Sequence, residues 1–480
     1  MAHGDKGLSA WQLSMMALGT VIGGSFFLGS AVAIKAAGPG ILVSYILGGA
    51  VVYIILYALS EMTVADPDPG SFRTFARKAY GSGAGFVVGW VYWTGLVLAM
   101  SSEATAVSIF LQAWFPGLSL GLLGAVVIIA ITLLNLLGAD RLSQLESGLA
   151  AVKLLAIVGF IVIGLFLISG IMPDMAPVGA GALAIEPWLP GGIGGLAGSM
   201  LIVIFTYAGF EIIGLAASEA KDPHKTIPKA ITYTVTGLIG LYVLAVLVLL
   251  PLIPTDLLST EHSPLVAALT RWNLVWAGNV INIVLITAIL STMLAAMFGL
   301  GRMIRSLAEE GQAPAWIRDY GDIPYKGILF SGAGMLIGLA FGSLLPQVYL
   351  FLVSAGGFAL LATYMVILAT HYKFRRINGC PPKGNCQLPL YPYSSWFAMT
   401  ASILILISMP LVSGQGSGLT AGLALVVLFS AVYYVKTRFQ ADTKPAVSGK
   451  APGRSPAMRY LEAQYEIAED LTNEKNEPKK

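Results

Sequence analysis

Glu103, Lys153 and Glu211 are ionisable residues set inside long apolar runs. A Lys at the centre of a membrane helix costs about 2.5–3.5 kcal/mol on insertion scales, and residues of this kind face a partner, a cavity or an ion path rather than lipid. Their chemistry is limited and specific. A buried lysine can release and regain a proton, because burial disfavours its charged form. A buried carboxylate can hold a cation, or it can satisfy backbone N–H groups that an irregular helix leaves free. Glu211 stands in such a place, in FTYAGFEIIGLAASEAKDPHKTIPKAI from Phe205 to Ile231, directly after the Tyr207–Ala208–Gly209 irregularity. No span offers a nucleophile with its base or a metal-ligand cluster, which argues against an enzyme.

The elements around these residues are membrane helices. The chain has 480 residues, 56% hydrophobic and only 11% charged, with mean hydropathy +0.78; a soluble chain carries about a quarter charged residues. About twelve apolar runs approach membrane length. They lie near 10–34, 39–60, 85–113, 120–138, 147–170, 194–217, 230–253, 275–305, 327–344, 347–371, 393–413 and 417–436. With both termini in the cytoplasm, alternating loops leave only Lys35 and Arg271 outside and Lys153 within the membrane; every other Lys and Arg of the 28 faces the cytoplasm, as the positive-inside rule requires. The net charge of +3 therefore reports topology and gives no reason to expect nucleic-acid binding. The first run is too long for a cleavable signal peptide and has no small-residue cleavage pattern.

Other polar residues read plainly. Cys380 and Cys386, in the predicted cytoplasmic loop CPPKGNC, read as reduced thiols and a poor zinc signal. His3, His224, His262 and His371 read as solvated residues at loops and span ends. Trp90, Tyr92 and Trp93 read as interfacial anchors. Ser71–Ala79, with Arg73, Arg77 and Lys78, reads as a loop at the cytoplasmic surface. The polar tail, with Arg459–Leu471 as a short amphipathic stretch, reads as solvated.

The first span, WQLSMMALGTVIGGSFFLGSA, is crowded by Gly19, Gly23, Gly24 and Gly29. Glycine there serves close helix packing or a break in the helix. The sixth span has its irregular centre at Tyr207–Gly209. Glycine-interrupted segments at corresponding positions of two halves point to an inverted-repeat membrane fold with a site at the midplane. The expected division is a cytoplasmic N-terminus (1–9), a membrane domain (10–438) and a polar tail (439–480). Repeat one spans about 10–170, repeat two about 194–371, and extra helices about 393–436.

Motifs in order carry a family resemblance: GTVIGGSFFLGSA at Gly19–Ala31, SEMTVADPDPGSFRTFA at Ser60–Ala76, GWVYW at Gly89–Trp93 followed by Glu103, FTYAGFE through KTIPKAI, and LSTMLAAMFGLGRMIRSLAEEGQAP at Leu290–Pro314. Over roughly residues 8–440 the chain resembles an amino acid permease of the amino acid–polyamine–organocation superfamily. One departure is Ser25, where the family's I-G-x-G-[IL]-F pattern has a second glycine.

The resemblance implies an all-α integral membrane protein with a leucine-transporter-like 5+5 inverted repeat plus two C-terminal helices, helices 1 and 6 being unwound at the midplane. It implies a substrate site at Gly19, Val21, Ile22, Gly23, Gly24, Ser25, Phe205, Tyr207, Ala208 and Gly209. Freed N–H groups near Gly24–Ser25–Phe26, at a positive helix end, would take an α-carboxylate; freed carbonyls near Gly19–Val21 and Phe205–Ala208 would take an α-ammonium. Lys153 stands where related proton-coupled permeases carry a coupling lysine, with Ser291 or Thr292 as its neighbour. Glu103 and Glu211 are expected to support the break or the gate; facing substrate, either would favour a cationic one. The implied activity is amino acid import across the plasma membrane by proton symport, with no cofactor beyond the proton gradient and no metal. Amino acid exchange is the rival, and an amino-acid-sensing receptor of the same fold a further alternative.

Overall fold

The structure is a computed structural model that describes residues 8–66, 68, 70–172, 175–211, 220–319, 321, 323–345, 347–379 and 388–442, with the side chains of 139–148, 150 and 439–442 set aside. His3, Cys380, Cys386 and the Arg459–Leu471 segment lie outside the described residues. The described residues up to Tyr433 form one compact unit; a second begins at Tyr434, where Arg438 lies against the Tyr434 ring.

Among the described residues the chain is helical, with no strand. Helix α1 (Ala10–Val21) starts at a capping box in which Ser9 accepts from the Gln12 N–H and the Gln12 side chain accepts from the Ser9 N–H, which satisfies N–H groups at a helix start that have no partner within the helix. A wide π turn (Ser25–Gly29) leads into α2 (Ser30–Ala37). Then follow α3 (Ile41–Ala65), α4 (Ser71–Tyr80), α5 (Ser82–Gln112), α6 (Leu120–Asn135), α7 (Ala139–Ser169), α8 (Gly192–Thr206), α9 (Pro223–Leu252), α10 (Pro264–Arg271), α11 (Val275–Glu309), α12 (Tyr325–Ser343), α13 (Val348–Asn378), α14 (Tyr393–Ser408) and α15 (Gly416–Asp442).

Among the described residues nine helices are long and apolar enough to cross a membrane, while α6 and α8 are apolar but shorter. One of the nine, Ser25–Ala65, runs through the Gly38–Gly40 turn. Gly38 has φ +61°, and a Cβ there would lie 2.3 Å from Pro190 Cδ; a side chain fits neither that backbone nor that space.

The helices gather in two groups. In one, α3 lies against α8 and α9, and α9 against α1; in the other, α13 packs most extensively on α5, which also carries α6 and α11. Of the candidate spans, α13 is the most enclosed and α15 the least. The start of α1 is tied to the start of α9 by a bridge of Leu8 with Ala220, where the Lys221 N–H donates to the Leu8 carbonyl.

Several polar residues differ from expectation. Ser71–Tyr80 is a helix, and Arg73 on it is fully buried, forking onto Glu310 at 2.7 Å through each terminal nitrogen. Tyr92 and Trp93 are buried and bond inward, to Glu211 and Ser331; Trp90 donates to the Gln312 carbonyl. His371 is fully buried on Glu61. Each ring or cation finds a protein partner that local sequence could not reveal.

Candidate substrate site

The first break is built by residues that take backbone groups out of the helix. α1 stops at Val21, and Ile22 is extended, with φ −74° and ψ 106°. In a continuous helix the N–H groups of Gly24 and Ser25 would bond the carbonyls of Thr20 and Val21. Here they donate to Glu103, at 2.7 Å (Oε2) and 3.2 Å (Oε1). The carboxylate, fixed by α5, caps the second half of the broken helix. The Thr20 and Val21 carbonyls are thereby released.

Gly24 is required by that approach. A Cβ on it would lie 2.7 Å from Glu103 Oε2 and 3.1 Å from Ile289 Cδ1. Beyond it, the Gly23 carbonyl accepts from the N–H groups of Phe26 and Phe27.

On the other side of the break stands Lys153, fully buried on α7. Its Nζ donates to the Gly19 carbonyl at 2.5 Å and to Thr292 Oγ1 at 2.9 Å. The Thr292 hydroxyl lies 3.1 Å from the Ile22 carbonyl and 3.2 Å from that of Ala288. A cation and a hydroxyl from α7 and α11 therefore serve the carbonyls that the break exposes. Ser291 is buried beside Thr292.

The second break follows α8. Thr206 ends the helix, and residues 207–211 form turns in which Gly209 has φ +101°, a conformation that favours glycine. Glu211 fastens these turns. Its Oε1 accepts from the Tyr92 hydroxyl at 2.9 Å, and its Oε2 from the Gly209 N–H at 3.1 Å and the Tyr364 hydroxyl at 3.3 Å. The Tyr242 hydroxyl donates to the Thr206 carbonyl at 3.0 Å.

The two breaks face each other. A Cβ on Gly209 would stand 3.6 Å from the Thr20 carbonyl oxygen and from Val21 Cα. Gly19, Val21, Ile22, Gly23, Gly24 and Ser25 thus share one locality with Gly209, Glu103, Lys153 and Thr292. Phe205 is buried at the end of α8, and Ala208 is in the turn. At Tyr207 the hydroxyl donates to the Tyr45 carbonyl on α3 at 2.9 Å, and the ring joins Tyr45 and Tyr242. The side chain is thus committed to packing.

A cavity of ≈ 1210 Å³ opens beside this locality, with Lys35, Gln112, Glu261, His262, Gln347 and Tyr349 in its lining. The Tyr349 hydroxyl donates to the Gly24 carbonyl at 3.3 Å, so this lining residue also touches the first break, while residues 19–25, Glu103, Lys153 and 205–211 are not in the lining. Tyr349, Tyr364, Tyr92 and Tyr242 were not singled out as site residues from the sequence; tyrosines in apolar spans carry no signal that separates a hydrogen-bonding role from packing.

The sequence profile of the amino acid permease family matches residues 12–447. The chain belongs to the amino acid permease family. It is a permease and not an enzyme. It is 33% identical over 446 residues to the uncharacterized amino acid permease YtnA of Bacillus subtilis, covering 90% of this chain and 95% of that one. The gamma-aminobutyric acid permease of Escherichia coli is 32% identical over 409 residues, covering 84% and 88%. The aromatic amino acid transport protein AroP of Escherichia coli is 32% identical over 423 residues, covering 86% and 92%.

Proposed function

We propose that this permease is a secondary active transporter that imports amino acids across the plasma membrane by proton symport, with alternating access around the two breaks. In this reading the fold is the twelve-helix, 5+5 inverted repeat with helices 1 and 6 unwound at the midplane, and both termini are cytoplasmic. The observation that carries the coupling step is the Lys153 ammonium on the Gly19 carbonyl and Thr292. A positive charge there holds the broken ends of the first helix to α7 and α11. Loss of its proton removes the charge that orders those carbonyls, so protonation and the conformation of the break are linked.

The same geometry supports a substrate class. The Thr20 and Val21 carbonyls, facing Gly209, suit an α-ammonium, while Glu103 keeps the Gly24–Ser25 N–H pair that the family resemblance assigns to an α-carboxylate. Glu103, Glu211 and Lys153 are each engaged by backbone or hydroxyl groups. None of these charges is offered to a substrate side chain, which favours neutral over cationic amino acids. Relatives bearing the names of gamma-aminobutyric acid and aromatic amino acid carriers agree with a substrate of no net charge.

The test is uptake by purified protein in liposomes against a panel of the twenty amino acids, with and without an inward proton gradient. Gradient-driven accumulation of neutral members is expected. Uptake that requires internal amino acid and ignores the gradient would establish exchange instead; saturable binding without flux would establish a receptor.

A further inference from the structure

About 10 Å along α13 from Tyr364, which holds Glu211 at the second break, a single carboxylate gathers donors from separate parts of the chain. Glu61, near the end of α3, is buried. His371 on α13 bonds its Oε2 through Nε2 at 2.7 Å. Arg375, one turn further along α13, brings Nε to 2.8 Å from Oε2 and donates from Nη2 to Oε1 at 3.1 Å. The backbone N–H of Leu388, in the segment that enters α14, donates to Oε1. Tyr391 completes the cluster, its ring 4.6 Å under the Arg375 guanidinium and edge-on to His371 at 5.7 Å. Among the described residues, Glu61, His371, Arg375 and Tyr391 meet here from α3, α13 and the Leu388–Tyr391 segment, with the Tyr372 ring against Tyr391 at 6.1 Å.

The position matters more than the number of bonds. α3 belongs to the helix group that carries both breaks, through α8 and α9; α13 belongs to the group built on α5. The cluster is an ionic join between the two groups. It also lies at the opposite end from the cavity: Tyr349 at the start of α13 lines the cavity, and His371 lies roughly 33 Å further along the same helix at 1.5 Å per residue. One end of the two-group interface is open and the other is clasped.

Resting on the transporter reading, we propose that Glu61, His371 and Arg375 form a latch that keeps the end remote from the cavity closed, and that it must part when that end opens. A buried carboxylate fully supplied with donors suits this use, because each arrangement it leaves is costly until water replaces the partners, and discrete states follow.

Hydrogen exchange and sided transport test the latch together, on wild type, Glu61→Gln and Arg375→Gln in lipid. The latch predicts at least tenfold faster exchange of amides around Leu388 and the end of α3 in either variant, with α5 unchanged. It also predicts that the KM for a neutral amino acid carried by the wild type falls at the latch face and rises at the cavity face, by threefold or more each. Unchanged exchange near Leu388 in either folded variant overturns the latch, whether or not any amino acid moves. Faster exchange with KM moving alike on both faces, or not at all, overturns it too and leaves a static clasp. Absence of amino acid flux in the wild type is a separate result: it overturns the transport reading and the latch with it.

Discussion

At the scale of single residues, glycines and carboxylates work in pairs. Gly24 admits Glu103, and Gly209 supplies the left-handed turn that Glu211 fastens. Gly24→Ala sets a methyl 2.7 Å from the Glu103 carboxylate, so either the cap or the break must move; transport is expected to fall at least tenfold while the folded yield in detergent is largely kept. Gly209→Ala meets no close atom but demands φ +101°, a strain of about 1–3 kcal/mol that a lower thermal midpoint in detergent would register. Glu211→Gln keeps the shape of the side chain and weakens the bonds from Tyr92 and Tyr364. A loss of roughly 1–3 kcal/mol is expected, without a new preference for lysine or against it. A switch in preference between cationic and neutral substrates would show that Glu211 faces the substrate.

At the scale of elements, the long apolar helices were legible because composition and periodicity act locally. Glycines interrupt the apolar runs at Gly23–Gly24 and Gly209, and nearby the structure has an extended Ile22 and turns at 207–211. The engagement of Lys153 with Thr292 was within reach through the motif context of both spans. Hidden were the contacts between elements far apart in the chain. Glu103 could be singled out as a charge in lipid, but nothing near it announces that Gly24 and Ser25 are its partners. Likewise Arg73 reads as a surface cation in Ser71–Ala79, whereas α4 carries it under α11 to Glu310 and Ser306. Arg73→Ala leaves Glu310 with Arg77 as a partially exposed partner; a stability loss of about 1–3 kcal/mol is expected, read as an earlier thermal transition, with Arg77→Ala costing less. Equal effects of the two variants would contradict the dominance of the buried fork.

At the scale of the whole molecule, the two helix groups meet at the paired breaks, with a cavity at one end and the Glu61 cluster at the other. Because the membrane charges near the breaks are engaged internally, excess leucine, alanine or phenylalanine should compete with a transported neutral amino acid, and lysine or arginine should not. The proton is the remaining question, and Lys153→Ala in proteoliposomes addresses it directly. With an alkaline interior, the wild type is expected to accumulate labelled neutral amino acid above equilibrium and to lose that accumulation when a protonophore is added. Lys153→Ala is expected to retain exchange of internal for external substrate while failing to accumulate. Accumulation by Lys153→Ala at the wild-type level, still abolished by the protonophore, would contradict the role of Lys153 as the coupling group.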